Sequence, residues 1–136
     1  MTPFRTAARW HTLAGVIMAL GAWSVPANAH WERVAEEGAT ISYADPQTIV
    51  RNADVVRMMS LIDYRNFQRM VEVGYFSQRT VGEYDCAGRR HRTLAVALHA
   101  DRMGEGKVIY SDESAHDWMP VAAGTSAEAL WKIACR

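Results

Sequence analysis

The chain has 136 residues with fifteen basic and fifteen acidic side chains, so its net charge is zero with histidine neutral. This balance argues against a nucleic-acid partner, because binding to phosphates requires a basic face. The length fits one domain near the small end of the usual range, where surface burial alone gives marginal stability.

The N-terminal segment has the layout of an export signal. Arg5 and Arg9 lie in a stretch without acidic residues, and residues 13–23 are almost all apolar. Ala27 and Ala29 then place small side chains at the two positions that a signal peptidase reads. The apolar run is too short to span a bilayer, which needs about 20 such residues.

We therefore predict a signal peptide over residues 1–29 and one domain over residues 30–136. Both basic residues of the signal are lost on cleavage, which leaves the mature domain with a net charge of about −2. No cysteine lies near the cleavage point, so the sequence shows no site for lipid attachment there. The expected location is periplasmic or secreted, without a transmembrane segment after signal removal.

The first half of the mature domain predicts short strands. Strand-like runs cover residues 31–34 and 39–44, and Asp45-Pro46 is expected to end the second run, because proline lacks a ladder donor and restricts the residue before it. The next run, residues 55–64, is apolar on both faces. That pattern is typical of a central strand that is covered on both sides.

The second half predicts a hairpin and a helix. Residues 76–86 and 90–100 alternate in polarity around a glycine-containing turn, and a further strand is expected over residues 108–111. Thr125 and Glu128 form a capping-box pattern at the start of an amphipathic helix. The predicted fold class is α+β, an antiparallel sheet of about six strands with one C-terminal α-helix packed on one face.

The chain has two cysteines, Cys86 and Cys135, and we expect an oxidising compartment to join them. Cys86 shares a strand face with Tyr84, and Cys135 lies one turn beyond Trp131 on the predicted helix. The sulfurs can meet only if the helix packs on that face of the sheet. The bond would close a loop of roughly 50 residues and add about 4 kcal/mol in the chain-entropy model. The other face and the loops are then the expected binding surface.

Candidates for metal or catalytic chemistry are weak. No histidine pair has zinc-ligand spacing, and no nucleophile-elbow motif occurs. A mature N-terminal His30 can chelate copper through its amine and ring, with His99 as a second ligand, but any residue can follow a cleavage site. The acidic turn of Asp112, Glu113 and Asp117 lacks the alternating ligands of a calcium loop. We therefore expect no cofactor and no enzymatic activity.

Two further features leave alternatives open. The basic run Arg89 to Arg92 predicts either a site for a small anion or glycosaminoglycan, or a solvated strand edge whose charges discourage pairing; we favour the edge. The apolar connection over residues 65–75 is expected to be a partner-binding loop, a dimer contact or core.

Three tryptophans of the mature domain are expected in the core, since large aromatics mostly supply buried area. They are Trp31, Trp118 and Trp131.

The order of several short motifs adds a resemblance that covers residues 31–135. The motifs are Tyr43-Ala44-Asp45-Pro46, Asp63-Tyr64, Tyr84-Asp85-Cys86 before the basic hairpin, Gly104-x-Gly106, Trp118-x-Pro120-Val121, Gly124-Thr125-Ser126 and the helix that ends in Cys135. In this order and spacing they resemble the surface-adhesin protein E family of exported bacterial proteins.

The resemblance implies an antiparallel sheet with a C-terminal helix held by the Cys86–Cys135 disulfide. It also implies binding of host extracellular-matrix or serum proteins, and a homodimer. We expect an exported, non-enzymatic binding module, and the alternative is a periplasmic envelope protein with a housekeeping role. No local motif assigns binding residues.

Overall fold

The computed structural model describes residues 29–136, so all but the last residue of the predicted signal peptide lies outside the described residues. The elements in chain order are β1 (Glu32–Glu37), β2 (Thr40–Asn52), β3 (Val55–Met70), β4 (Val73–Asp85), β5 (Arg90–His99), a 3-10 turn (Arg102–Gly104), β6 (Val108–Asp112), β7 (Met119–Pro120) and α1 (Ser126–Ala134). Within residues 29–136, no helix is long and apolar enough to cross a bilayer.

The strands form one antiparallel meander in the order β1-β2-β3-β4-β5-β6, with β7 also paired to β5. β3 is central in this sheet. Its side chains Val56 and Met58 on one face and Leu61 on the other are each 0% exposed. The expected α+β fold and the central strand covered on both faces are therefore confirmed.

The helix α1 packs on the face of the sheet that carries Val56 and Met58. Ala134 joins these two residues, Ala44 and Tyr84 in the buried core. The Cys86–Cys135 disulfide is present, with the two Cα atoms 5.6 Å apart. The predicted clamp between the hairpin strand and the last helix is confirmed, and it fixes which face the helix covers.

The start of the helix keeps half of the predicted capping box. The Thr125 hydroxyl accepts the backbone N–H of Glu128 at 3.3 Å. The Glu128 carboxylate accepts the N–H of Gly124, at 3.4 Å, rather than that of Thr125. Both bonds satisfy backbone donors at a helix start, so the cap is stabilising although its geometry differs from the box.

The expected strand end at Asp45-Pro46 is wrong. β2 continues to Asn52 through a bulge, since the regular pairing with β3 stops at Asp45 and resumes at Val50. Thr48 bridges the gap, because its hydroxyl donates to the Asp45 carbonyl at 2.7 Å and accepts the Met59 N–H at 2.8 Å. Proline is tolerated at a bulge because no ladder donor is needed there.

The face opposite the helix is not left free, which corrects the expectation that this whole face is a binding surface. The 3-10 turn lies across it near the end of β5. Asp63 accepts the Met103 N–H at 2.8 Å. Ser77 donates to the Asp101 carbonyl at 2.6 Å and accepts the Gly104 N–H at 2.8 Å. Both side chains are buried, so this polar network holds the turn against the sheet.

Candidate binding surface

The apolar connection over residues 65–75 is the end of a long β-hairpin. β3 and β4 pair as far as Met70 and Val73, and Val71 and Glu72 form the turn. We call residues 66–74 the hairpin tip. The pairing extends both strands well beyond the predicted ends, because a hairpin needs only backbone pairing to continue past the core.

The hairpin tip exposes large apolar side chains. Phe67 is 53% exposed, Val71 is 84% exposed and Val73 is 37% exposed. Clustered exposed apolar side chains on a small soluble domain often mark an interaction site, and these three side chains belong to one hairpin end. Of the three interpretations made from the sequence, core is therefore excluded for the tip itself.

Aromatic side chains support the base of the tip. The ring of Phe67 meets that of Phe76 edge to face, with 5.4 Å between centroids, and Tyr64 meets Tyr75 in the same way at 5.5 Å. Gly74 lies under the Phe67 ring, and a Cβ at that position would overlap the ring. Such edge-to-face pairs restrict the rings, so the tip presents Phe67 in one defined place.

Val71 has an unfavourable backbone conformation. Its φ is 54°, in the left-handed region, where a β-branched side chain is strained. Such strain costs about 1–2 kcal/mol and is often found at functional sites, where the surrounding structure maintains it. Glycine or asparagine adopts this conformation more readily, so the valine at this position lowers the stability of the turn.

We expect the substitution Val71→Asn to raise the free energy of unfolding by roughly 1 kcal/mol, because asparagine tolerates the left-handed region. Urea denaturation of the mature domain measures this change. The matched control is Val50→Asn, which replaces a 63% exposed valine outside the turn and should not raise stability. Equal or lower stability of the Val71 variant would contradict the strain at this residue.

The basic run of Arg89 to Arg92 is not a strand edge, because β5 pairs with β4 on one side and with β6 and β7 on the other. Its three arginines form ion pairs with carboxylates of the same chain. Arg90 pairs with Asp85 at 2.8 Å, Arg92 with Glu83 at 2.7 Å and Arg89 with Glu128 at 3.1 Å. The favoured sequence interpretation was therefore wrong about the edge, and the run is largely charge-neutralised.

The three tryptophans within residues 29–136 are half-buried, and an arginine lies over each ring, with Arg79 over Trp31 at 5.8 Å. Arg90 and Arg92 lie over the Trp118 ring at 4.9 and 4.6 Å, and Arg89 lies over Trp131 at 4.7 Å. Trp131 packs against the buried core. Trp118 and Trp31 are only partly covered, so the expectation of three core tryptophans fits Trp131 best.

Asp85 ties the basic run to the hairpin turn. Its carboxylate accepts the Gly88 N–H and the Arg90 Nε–H, each at 2.8 Å. These bonds, the Gly88 bond first, hold the pKa of Asp85 below its usual value. The pKa of Asp85 is lower in the folded than in the unfolded chain. Asp85 therefore stabilises the fold at pH values above its unfolded-state pKa, and this stabilisation is lost as the pH falls through its folded-state pKa.

We expect the wild-type domain to be more stable than Asp85→Asn at neutral pH, with the difference shrinking below about pH 4 as the carboxyl protonates. Urea midpoints measured between pH 7 and strong acid test this trend. The control is Asp117→Asn, at an exposed position. A difference that stays constant or grows in acid would show that the Asp85 charge is not the cause.

The structure does not pair the two histidines of the copper hypothesis. His30 precedes β1 and is exposed, and its backbone N–H donates to Asp45 at 3.2 Å. His99 ends β5, is 7% exposed, and its Nδ1 has no hydrogen-bond partner among residues 29–136. Burial, and then the Arg79 charge, lower the pKa of His99. β1 and β5 are not neighbours in the sheet.

The acidic turn forms a local hydrogen-bonded structure. Asp112 accepts the Ser114 N–H at 2.9 Å, and its bonds with Ser114 lower its pKa. Within the part of the chain that the structure describes, no group of three or more His, Cys, Asp or Glu side chains is arranged to hold a metal ion.

Comparisons with known proteins agree with the fold. The sequence profile of the family described as Surface-adhesin protein E matches residues 31–136. No curated protein matches the chain. Among solved structures, Haemophilus influenzae protein E is similar with a TM-score of 0.61 and 13% identity, over 79% of this chain and 85% of that one.

Two further structures of that protein are similar at the same identity. Its crystal form II gives a TM-score of 0.63 over 79% of this chain and 88% of that one. Protein E from non-typeable Haemophilus influenzae gives 0.59 over 84% and 80%. At 13% identity these likenesses establish the shared fold, whereas the profile match extends over the whole predicted mature domain except His30.

Proposed function

Because this chain belongs to the surface-adhesin protein E family, we propose that it is an exported, non-enzymatic binding module that binds host extracellular-matrix or serum proteins through its hairpin tip. Residues 1–29 act as the export signal in this proposal, and residues 30–136 form the mature domain. The observation that carries the proposal is the family match over residues 31–136.

The geometry of the hairpin tip supports its assignment as the contact surface. Phe67 and Val71 are the most exposed large apolar side chains of the tip, and the aromatic pairs at its base hold Phe67 in place. Protein interfaces are typically built on aromatic anchors held by a rigid support. A pre-organised anchor loses less conformational entropy on binding than a flexible loop.

The charge pattern beside the tip fits a protein partner. Arg65 pairs with Glu36 on β1, and Arg102 donates to the Tyr64 and Arg65 carbonyls, at 2.6 Å each. These bonds place charged groups at the base of the tip, next to its apolar side chains, and polar groups beside an apolar core are typical of protein interfaces.

A binding assay on the mature domain tests the proposal. Purified fibronectin, collagen, laminin and serum albumin are immobilised separately, and binding of the disulfide-bonded domain is measured by biosensor. We expect saturable binding to at least one of them, and Phe67→Ser is expected to weaken it roughly tenfold or more, as for the loss of an aromatic anchor.

The matched control for this assay is Val108→Ser, which removes an apolar side chain that is 47% exposed on β6, away from the tip. Its binding should equal that of the wild type. Absence of binding to every protein of the panel would contradict matrix or serum binding. Equal binding of the Phe67 variant would contradict the tip as the contact surface.

A further inference from the structure

A recess with a mostly apolar surface and several hydroxyl groups lies between the sheet and the first half of α1. It has a volume of about 200 Å³ and is partly open to solvent. Six hydroxyl-bearing residues line it, and we call it the hydroxyl recess: Ser42, Ser60, Thr80, Tyr84, Thr93 and Ser126. These side chains come from four neighbouring strands and the helix, so the fold itself brings them together.

The composition of this face of the sheet changes along the helix. Under the second half of α1 the sheet presents Ala44, Val56 and Met58, all 0% exposed. Under the first half it presents Ser42 and Ser60 at 3% and 4% exposure, followed by Thr80 and Thr93. Some of these hydroxyl groups have partners within the chain, since Tyr84 bonds with Ser60 and Thr80 accepts from the Gln78 side chain at 3.2 Å. A hydroxyl group can take part in more than one hydrogen bond, so these groups can also bond to a ligand.

The hydroxyl recess offers hydrogen bonds without a free charge. The Arg92 guanidinium at its rim donates twice to Glu83, at 2.9 and 2.7 Å. Burial lowers the pKa of His91, which keeps its ring neutral, and raises the pKa of Tyr84 to about 12, which keeps its hydroxyl protonated. A charged ligand would find no counter-charge in such a site.

Apolar surface completes the lining. Ile62 and Leu130 lie on opposite sides of the recess, one on β3 and one on α1. Gly82 lies beside the Tyr84 hydroxyl oxygen, and a Cβ there would come within 3.0 Å of that oxygen. The absence of a side chain at Gly82 therefore leaves room for the Tyr84 hydroxyl group.

We propose that the hydroxyl recess binds a neutral polyhydroxylated ring, the chemistry of a monosaccharide unit. A cavity of about 150 Å³ holds benzene, so the volume of about 200 Å³ accommodates a six-membered ring with several hydroxyl substituents. The hydroxyl groups of the recess suit the polar edges of such a ring, and Ile62 and Leu130 suit its C–H faces. The proposal does not rest on the hairpin tip or on protein binding.

Titration of the isotope-labelled mature domain with glucose, galactose, mannose and N-acetylglucosamine, followed by NMR, tests the proposal directly. We expect saturable shifts at the backbone amides of Thr80, Thr93 and Ser126 with at least one sugar. Benzene serves as an apolar probe of the same site. No saturable shift with any sugar would overturn the proposal, and so would shifts at these amides with benzene alone.

Isosteric variants test the hydroxyl groups one at a time. Thr80→Val and Thr93→Val keep the side-chain shape and are expected to weaken sugar binding roughly tenfold, because a ligand hydroxyl loses its partner. Ser111→Ala, on the opposite face of the sheet in a cleft that shares only Thr80 with the recess, is the control and should bind as the wild type does. Unchanged binding by both threonine variants would place the sugar elsewhere and overturn the assignment.

Free sugars and glycan-attached sugars share this chemistry, and a second titration separates them. A glycopeptide that ends in the sugar found to bind is compared with the same peptide without the sugar. Binding of the glycopeptide at the same amides would support recognition of glycan ends, and binding of the free sugar alone would support a small-molecule site. No shift at these amides with either ligand would contradict the proposal.

Discussion

The free energy of unfolding is expected to fall by roughly 4 kcal/mol when Cys86 and Cys135 are both replaced by alanine. The disulfide joins residues 49 positions apart, and removing it frees a loop of that length in the unfolded chain. Small domains have net stabilities of about 5–15 kcal/mol, so the variant should lose roughly a quarter or more of its stability. Urea denaturation followed by circular dichroism measures the change.

Two comparisons define the outcome of that experiment. The wild-type domain in excess reductant should lose about as much stability as the double variant, since both break the same cross-link. Mass spectrometry of the oxidised wild type should show both thiols blocked. A double variant with wild-type stability, or two free thiols in the native protein, would contradict the clamp.

The substitution Met58→Ala should cost about 2–5 kcal/mol, because it leaves a cavity in the centre of the core. Met58 is 0% exposed on the middle strand of the sheet and packs among Val56, Tyr84 and Ala134. The surrounding strands are paired on both sides, so they cannot collapse far into the space. Urea or thermal denaturation of the oxidised domain gives the loss directly.

The control for this variant is Met119→Ala, at a methionine that is 58% exposed on β7. It removes the same atoms from a position that buries little of them, and should change stability by less than about 0.5 kcal/mol. A Met58 variant no less stable than the Met119 variant would show that the core does not lie between α1 and β3.

The architecture could be predicted where local sequence patterns agreed with the one long-range constraint in the sequence, the cysteine pair. The alternation of residues 76–86 and 90–100 predicted a hairpin, and the Thr125 cap predicted a helix start, both from neighbouring residues. The cysteine pair then supplied the tertiary contact that places the helix on the sheet. Neither local pattern alone indicates which face the helix covers.

Elements that depend on distant partners were missed. The Asp45-Pro46 pair has the pattern of a strand end, yet the Thr48 hydroxyl replaces the lost ladder bonds through its contacts with Asp45 and Met59. The charged run of β5 is typical of an edge, but β7 pairs with it from residues 119–120. These contacts join residues from different parts of the chain, and the residues beside each position do not indicate the contact.

The two candidate sites differ in how far the sequence alone indicated them. The apolar character of the hairpin tip could be read from residues 65–75, although its form as a hairpin and the backbone strain at Val71 could not. Of the residues that line the hydroxyl recess, the sequence assigned Tyr84 to the strand face that the helix covers, but it gave no sign of a cluster of hydroxyl groups there. Recognising it as a site requires the register that aligns Ser60 with Thr80 across β3 and β4.

The central claim, that the hairpin tip is a protein-binding surface and that its exposed Val71 lowers stability, is tested most directly by the variant Val71→Asn. Its binding to the matrix and serum panel is measured beside its urea stability, with Val50→Asn as the control. We predict that Val71→Asn is more stable than the wild type and binds at least tenfold more weakly, while Val50→Asn binds normally. A Val71 variant that binds as tightly as the wild type would contradict the account.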